Sequence, residues 1–417
     1  MRRMLGISGA ALTLFLLSCL TANVCHAQSR DVVCRDGAGD FEAEFRTGVT
    51  VSVGPARNEL LDARVCRAAI SWGDQNLEVA AEVPQLDIDA FGVDLGLGAP
   101  VVALQIKKSK AECCMGYLIY SLREPPVLLR RITGGQFFSA ADTDLDGRVE
   151  IWTDDAAAVE GFENLKLSDL DFAPPVVLRF DRGRLLDVSS EFRPYFDQKI
   201  ADMKAKLNPQ DLGDFKTSDG KLASAADLPS GWHGRLRNAK VKVLEIVWSY
   251  LYSGREQEAW RFLAEMWPAA DMDRIRAAIL NARGRGVRSQ VDGVSTAISP
   301  GKIIPVKIFD GTTTVIATPG LTPKGAKAKQ EIVSPRAILM ERQPPMNELE
   351  KELAEMESEL NLVIDSAGKV RSVEVMGTDQ RIDEGLLRST SNWKFIPAFS
   401  EGQPVASRIF LGVSLKR

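Results

Sequence analysis

The sequence predicts an α+β chain of several domains: a β-rich N-terminal domain, a helical middle domain, and a small α+β C-terminal domain with a three-stranded sheet and a helix. Three observations carry this. Short runs from Phe41 to about Asp197 alternate apolar and polar residues between Gly, Pro and Asp turns. Residues 198–291 carry apolar residues at helical spacing instead. Roughly the last sixty residues return to two-residue alternation around one helical stretch. At 417 residues the chain is too long for one ordinary core. A composition 45% hydrophobic and 26% charged is that of a folded protein, neither disordered nor membrane-embedded. The formal net charge of -4 gives no reason to expect a nucleic-acid partner or an anionic membrane surface.

The N-terminus reads as an export signal over residues 1–27. Arg2 and Arg3 precede an apolar core from Leu5 to Leu20, and small residues lead to Cys25-His26-Ala27 before Gln28. Two other fates stay open: Leu16-Leu17-Ser18-Cys19 is a fair lipobox that would make Cys19 a lipid anchor, and an uncleaved leader would tether the chain to the inner membrane. Export implies an oxidising compartment, in which the remaining Cys34, Cys66, Cys113 and Cys114 are expected to form structural disulfides. Four cysteines allow three pairings. Joining adjacent Cys113 and Cys114 requires a strained ring, so bridges from that pair to Cys34 and Cys66 are expected.

Histidine scarcity narrows the chemistry. Once His26 leaves with the leader, His233 alone remains, so a multi-histidine zinc site is impossible and a Ser-His-Asp site would have to be built around it. His233 sits in the turn-like Pro229 to Gly234 and reads as a loop residue. No catalytic residue emerges, and the chain is expected not to be an enzyme.

The β-rich domain spans residues 28–197, with strands such as Val49 to Val53, Val101 to Ile106, Tyr117 to Leu122, Val127 to Ile132 and Val176 to Phe180. In residues 198–291, Val241, Leu244, Trp248 and Leu251 fall on one helical face. After Ser253-Gly254, Trp260, Leu263 and Trp267 resume it; Pro268 stops the second helix and Asp271 is an N-cap candidate for a third. The pair resembles a tetratricopeptide helix pair, but with no second copy the region is read as a helical spacer. Residues 292–345 read as a linker with one hairpin, punctuated by Ser299-Pro300-Gly301, Thr318-Pro319-Gly320 and Pro344-Pro345. A short acidic helix around Glu348 to Glu357 follows.

Asp142-Thr143-Asp144-Leu145-Asp146-Gly147-Arg148-Val149-Glu150 is the most specific motif in the N-terminal half. Carboxylates at alternate positions around a tight turn can converge on a hard cation, with Gly147 allowing the turn and Arg148 offering its backbone carbonyl. The twelfth position is Thr153, which disfavours an EF-hand. The loop resembles the calcium loop of FG-GAP and VCBS-type repeats, in which the ninth position, here Glu150, supplies the last carboxylate. That resemblance covers one unit of about thirty residues and implies a structural calcium ion held by Asp142, Asp144, Asp146, Arg148 and Glu150.

At the C-terminus, over residues 346–417, Leu360 to Asp365 alternates as a strand, Ser366-Ala367-Gly368 turns it, and Lys369 to Val375 returns. A helix over Asp383 to Ser391, then Trp393-Lys394-Phe395-Ile396-Pro397-Ala398, Gly402-Gln403-Pro404-Val405 and a last strand complete the pattern. This order of elements resembles the TonB C-terminal domain. The resemblance implies a Gram-negative envelope protein, periplasmic or secreted or anchored as a lipoprotein. It further implies that an outer-membrane receptor or other envelope protein adds a strand to an exposed sheet edge. The edge it points to is Val405, Ser407, Arg408, Ile409, Phe410 and Leu411, with Arg408 and Phe410 outward. The family's usual lead-in and proline-rich arm are missing, so a binding or coupling module is expected rather than an energy-driven motor. A calcium-stabilised structural or adhesive module and a secreted hydrolase are the alternatives.

Overall fold

The computed structural model describes residues 32–58, 63–110, 113–222, 230–295, 309–317, 332–340, 358–376 and 384–413. The leader with Cys19 and the acidic helix expected around Glu348 to Glu357 lie outside them. The chain is mixed α/β, with strands predominating and arranged in several separate sheets.

The described chain opens with β1 (Cys34–Arg35), β2 (Phe41–Glu44), β3 (Thr50–Asn58), β4 (Ala63–Trp72) and β5 (Gln75–Val83). β6 (Gln85–Val93), β7 (Val101–Lys107), β8 (Met115–Ser121) and β9 (Leu128–Gly135) follow. β2 to β5 form an antiparallel meander, and a second sheet runs β1-β6-β7-β8-β9. Alternation explains the meander: Phe41 and Ala43 are buried while Glu42 and Glu44 face out. Its apolar face joins Leu86, Ile88, Val102 and Leu104 of the second sheet in one core. β7 is buried on both faces, as its near-continuous apolar run requires, and β6 is buried too although Asp87 and Asp89 interrupt its apolar residues. The opposite face of that sheet meets a third one made by β10 (Phe138–Ala141), β11 (Glu150–Asp154), β12 (Pro175–Asp181) and β13 (Arg184–Asp187).

Cys34 and Cys66 are bonded, with Cα atoms 6.0 Å apart, so β1 of the second sheet is stapled to β4 of the meander. Cys113 is bonded to Cys114. The expected bridges from Cys113 and Cys114 to Cys34 and Cys66 are therefore wrong. The pairing of Cys34 with Leu86 buries it against Cys66, while the adjacent cysteines lie in the β7–β8 hairpin and have only each other.

The helical stretch comprises α1 (Ala156–Val159), α2 (Arg193–Ala205), α3 (Pro209–Lys216), α4 (Ser230–Tyr252), α5 (Glu256–Met266) and α6 (Met272–Arg283). Pro209 and the Asn208 side chain, which accepts the Gln210 and Asp211 N–H groups, start α3. The expected apolar stripe is real: Val241, Leu244, Trp248, Leu251, Leu263 and Trp267 are buried. It does not make a spacer, because these residues share one core with Ile151, Leu178 and Phe138 of the sheets. The Tyr252 hydroxyl donates to Asp155 Oδ2 (2.7 Å), and β14 (Gly293–Val294) then returns to pair in parallel with β13. The helices are thus an excursion from the third sheet. Asp271 stands at the N-cap position of α6, but its carboxylate accepts from Trp267 Nε1 and Arg274 instead of capping backbone.

Glu163 ties this excursion down through Arg274 and Lys240. Burial pushes its carboxyl up, but the two cations outweigh burial and hold it below its usual 4.5. A depressed carboxyl stabilises the fold above its unfolded value, and that contribution is lost as pH falls through the folded one. Glu163→Gln should therefore flatten the acid limb of stability below pH 4.5 in denaturant titrations. An unchanged limb would show that the network carries no linked stability.

The rest of the chain supplies β15 (Phe309–Ala317), β16 (Ile332–Val333), β17 (Arg336–Leu339), β18 (Ser358–Ile364) and β19 (Val370–Met376). Then come α7 (Glu384–Thr390), β20 (Lys394–Ile396), β21 (Ala398–Ser400), β22 (Gln403–Val405) and β23 (Ser407–Val413). The main C-terminal sheet runs β15-β23-β18-β19, and Leu360, Leu362, Ile364, Leu386, Trp393, Phe395, Ile409 and Leu411 form its core. Described parts of the expected linker are strands of other sheets: β14 on β13, β15 on β23, β16 on β21 and β17 on β20. Thr312 to Ile316 of β15 and Ile332-Val333 of β16 are β-branched runs, which pair readily once an edge is offered.

Candidate functional site: the acidic loop and the C-terminal sheet

The acidic loop lies between β10 and β11. One carboxylate oxygen each from Asp142, Asp144 and Asp146 lies within 4.8 Å of the others. Gly147 supplies the tight turn at φ +86°, and its N–H donates to Asp142 Oδ2 (3.1 Å). Arg148, expected to offer its backbone carbonyl, pairs its side chain with Asp146 and donates its N–H to Asp146 Oδ1. Glu150 is outside the converging trio. It is buried, accepts the Thr143 N–H (3.0 Å) and faces Arg179 at 3.5 Å. Burial, abetted by Asp144 and Asp146, pushes Glu150 up to about 8 despite Arg179 and the Thr143 bond.

Asp142 is fully buried, and its Oδ1 has no hydrogen-bond partner among the described residues. A buried carboxylate oxygen left without a donor is costly. Three hard oxygens converging around a glycine turn are the donor chemistry of calcium. The trio could hold such an ion, with Glu150 as a further ligand if its carboxylate turned from Thr143.

The C-terminal sheet sits against this loop. Asp365 Oδ1 accepts the N–H groups of Ala367 and Lys369 (both 2.9 Å), closing the β18–β19 turn, where Gly368 adopts φ +85°. A Cβ on Gly368 would fall 1.9 Å from the Phe395 carbonyl oxygen, so only glycine fits the turn. The other Asp365 oxygen accepts the Asp142 N–H (3.1 Å), and Ser366 Oγ donates to Asp142 Oδ2 (3.0 Å). Arg371 donates to the Thr143 carbonyl. Burial pushes Asp365 up to about 6, with Arg371 opposing.

Beside the loop two lysines complete the seat. Lys369 Nζ donates to the backbone oxygen and to Oδ1 of Asp89 (both 2.7 Å), while Tyr117 and the Ala140 N–H take Oδ2. Lys394 pairs with Asp87, and burial pulls its pKa down. Phe399 packs edge-on against Phe45, close over Gly92. Neither Asp87 nor Asp89 was singled out by the sequence pattern. The missed signal was their alternation with Leu86, Ile88 and Phe91 on a strand too apolar to be exposed, which demands buried cations.

The strand expected as a free edge is an interior one. β23 pairs antiparallel with β18 on one side and parallel with β15 on the other. Val405 belongs to β22, whose partner is β21, so the expected strand breaks at Ala406. Ser407, Ile409 and Leu411 are buried, Arg408 is half-buried, and Phe410 is 41% exposed. No protein-family model matches the chain, and no curated protein matches its sequence.

Proposed function

We propose that this chain is a periplasmic or secreted envelope protein of a Gram-negative bacterium. In this reading it is a binding or coupling module whose C-terminal sheet takes an extended segment of an outer-membrane receptor by strand addition. The layout is a disulfide-linked β domain with its helical excursion, carrying a TonB-like unit at its end. The observation that carries the proposal is the parallel seating of β15 on β23. It supports reading the Ser407–Val413 backbone as an acceptor of added strands, because main-chain bonds give such pairing its affinity whatever the donor. The receptor segment would take the place of β15, with Phe410 as its exposed side-chain contact. No residue is assigned a catalytic role.

The test is capture of outer-membrane proteins by the full chain and by a variant in which 309–317 is an equally long Gly-Ser linker. A β-barrel receptor should be enriched by both, several-fold more by the variant, and lost with Ile409→Pro and Phe410→Lys. Absence of any such receptor from both captures would reject strand addition. A second reading, a calcium-stabilised structural or adhesive module, is favoured by the orphaned Asp142 oxygen and the trio around it.

A further inference from the structure

We propose that a divalent cation of the calcium class at the acidic loop locks the C-terminal sheet onto the β domain, so that cation binding and seating of the 365–371 turn strengthen each other. This rests on the calcium reading of the loop and is independent of receptor binding. The contacts are shared atom by atom. Asp142 Oδ2 is held by Ser366 from the C-terminal turn, while Oδ1 of the same carboxylate is the oxygen without a donor. The Asp142 N–H is held by Asp365, and the next residue, Thr143, is gripped by Arg371 through its carbonyl. The first ligand of the loop is therefore oriented by residues more than two hundred positions away in sequence.

Charge gives the reason for coupling. Five carboxylates, from Asp142, Asp144, Asp146, Glu150 and Asp365, meet three guanidiniums, from Arg148, Arg179 and Arg371. Arg179 is shared with Glu191 as well. Asp142 and Asp365 are both fully buried and touch through the Asp142 N–H, so seating the turn brings a second buried carboxylate beside the loop. A cation on Asp142, Asp144 and Asp146 removes that repulsion and fixes the Asp142 rotamer that Ser366 recognises. Undocking the turn frees that rotamer and must weaken the cation by the same factor.

The experiment uses the full chain and calcium alone. Calorimetry should show calcium binding to the wild type, abolished by Asp144→Asn and weakened about five-fold or more by Ser366→Ala with Arg371→Ala. Hydrogen exchange in residues 365–371 should slow on adding calcium to the wild type and not to Asp144→Asn. This second measurement needs no interface variant to fold. Equal calcium affinity in the wild type and the interface variant, or exchange at 365–371 indifferent to calcium, would overturn the coupling while leaving the metal site standing. No calcium heat in the wild type would overturn both.

Discussion

Lys369→Ala should destabilise the full chain by about 3–5 kcal/mol, the range found when one partner of a buried ion pair is removed. The change strands Asp89, which is buried, while Tyr117 and the Ala140 N–H remain bonded to its other oxygen. Those two donors cannot supply the charge that Lys369 Nζ supplies to Oδ1 at 2.7 Å. Chemical denaturation followed by tryptophan fluorescence reads the loss. Adding Asp89→Asn should recover most of it, because the amide still accepts from Tyr117 and Ala140 but carries no charge to strand. A single-variant loss under about 1 kcal/mol would mean that water replaces the lysine, and that the sheet is not seated as tightly as the distances imply.

The second large effect concerns the disulfides. Cys34→Ala with Cys66→Ala should cost between about 3 and 4 kcal/mol, since the bond closes a loop with a sequence separation of 32. Cys113→Ala with Cys114→Ala should cost far less by the same argument, because neighbouring residues close almost no chain and the unfolded state hardly notices. Unfolding curves of the two double variants side by side give the comparison. Equal losses would show that the staple between the meander and the second sheet acts through native packing rather than through the unfolded chain.

Local signals in the sequence carried well wherever one face was buried. The alternation of Val49 to Val53, the helical stripe through Trp248 and the turn at Gly368 each became the element expected. Pairings between distant segments were not legible. Nothing in Phe309 to Ala317 says that its partner is β23, because strand addition uses main-chain groups that every residue carries. The same holds for the Cys34–Cys66 disulfide, whose pairing depends on how β1 and β4 of two different sheets meet. The acidic loop was legible as a cluster, yet its ligand geometry was not. Glu150 bonds the Thr143 N–H and stands outside the trio. The helices looked like a separate spacer because periodicity reports that a face is buried without saying against what.

The placement of β23 between β15 and β18 has a consequence for the order of assembly during synthesis. The strand at the middle of the C-terminal sheet is the last one described along the chain, whereas its parallel neighbour β15 emerges roughly a hundred residues earlier. That sheet cannot close progressively from the N-terminal side. Among the described residues β15 has only β23 to pair with, and such non-local pairing is slow. Throughout that interval Asp87 and Asp89 wait on an otherwise complete β6 for Lys394 and Lys369. Asp89 thus lacks its lysine until residue 369 has been made, and a chain cut short before β20 leaves Asp87 without Lys394. Arrival of Lys369 and Lys394 is what neutralises these two carboxylates of β6.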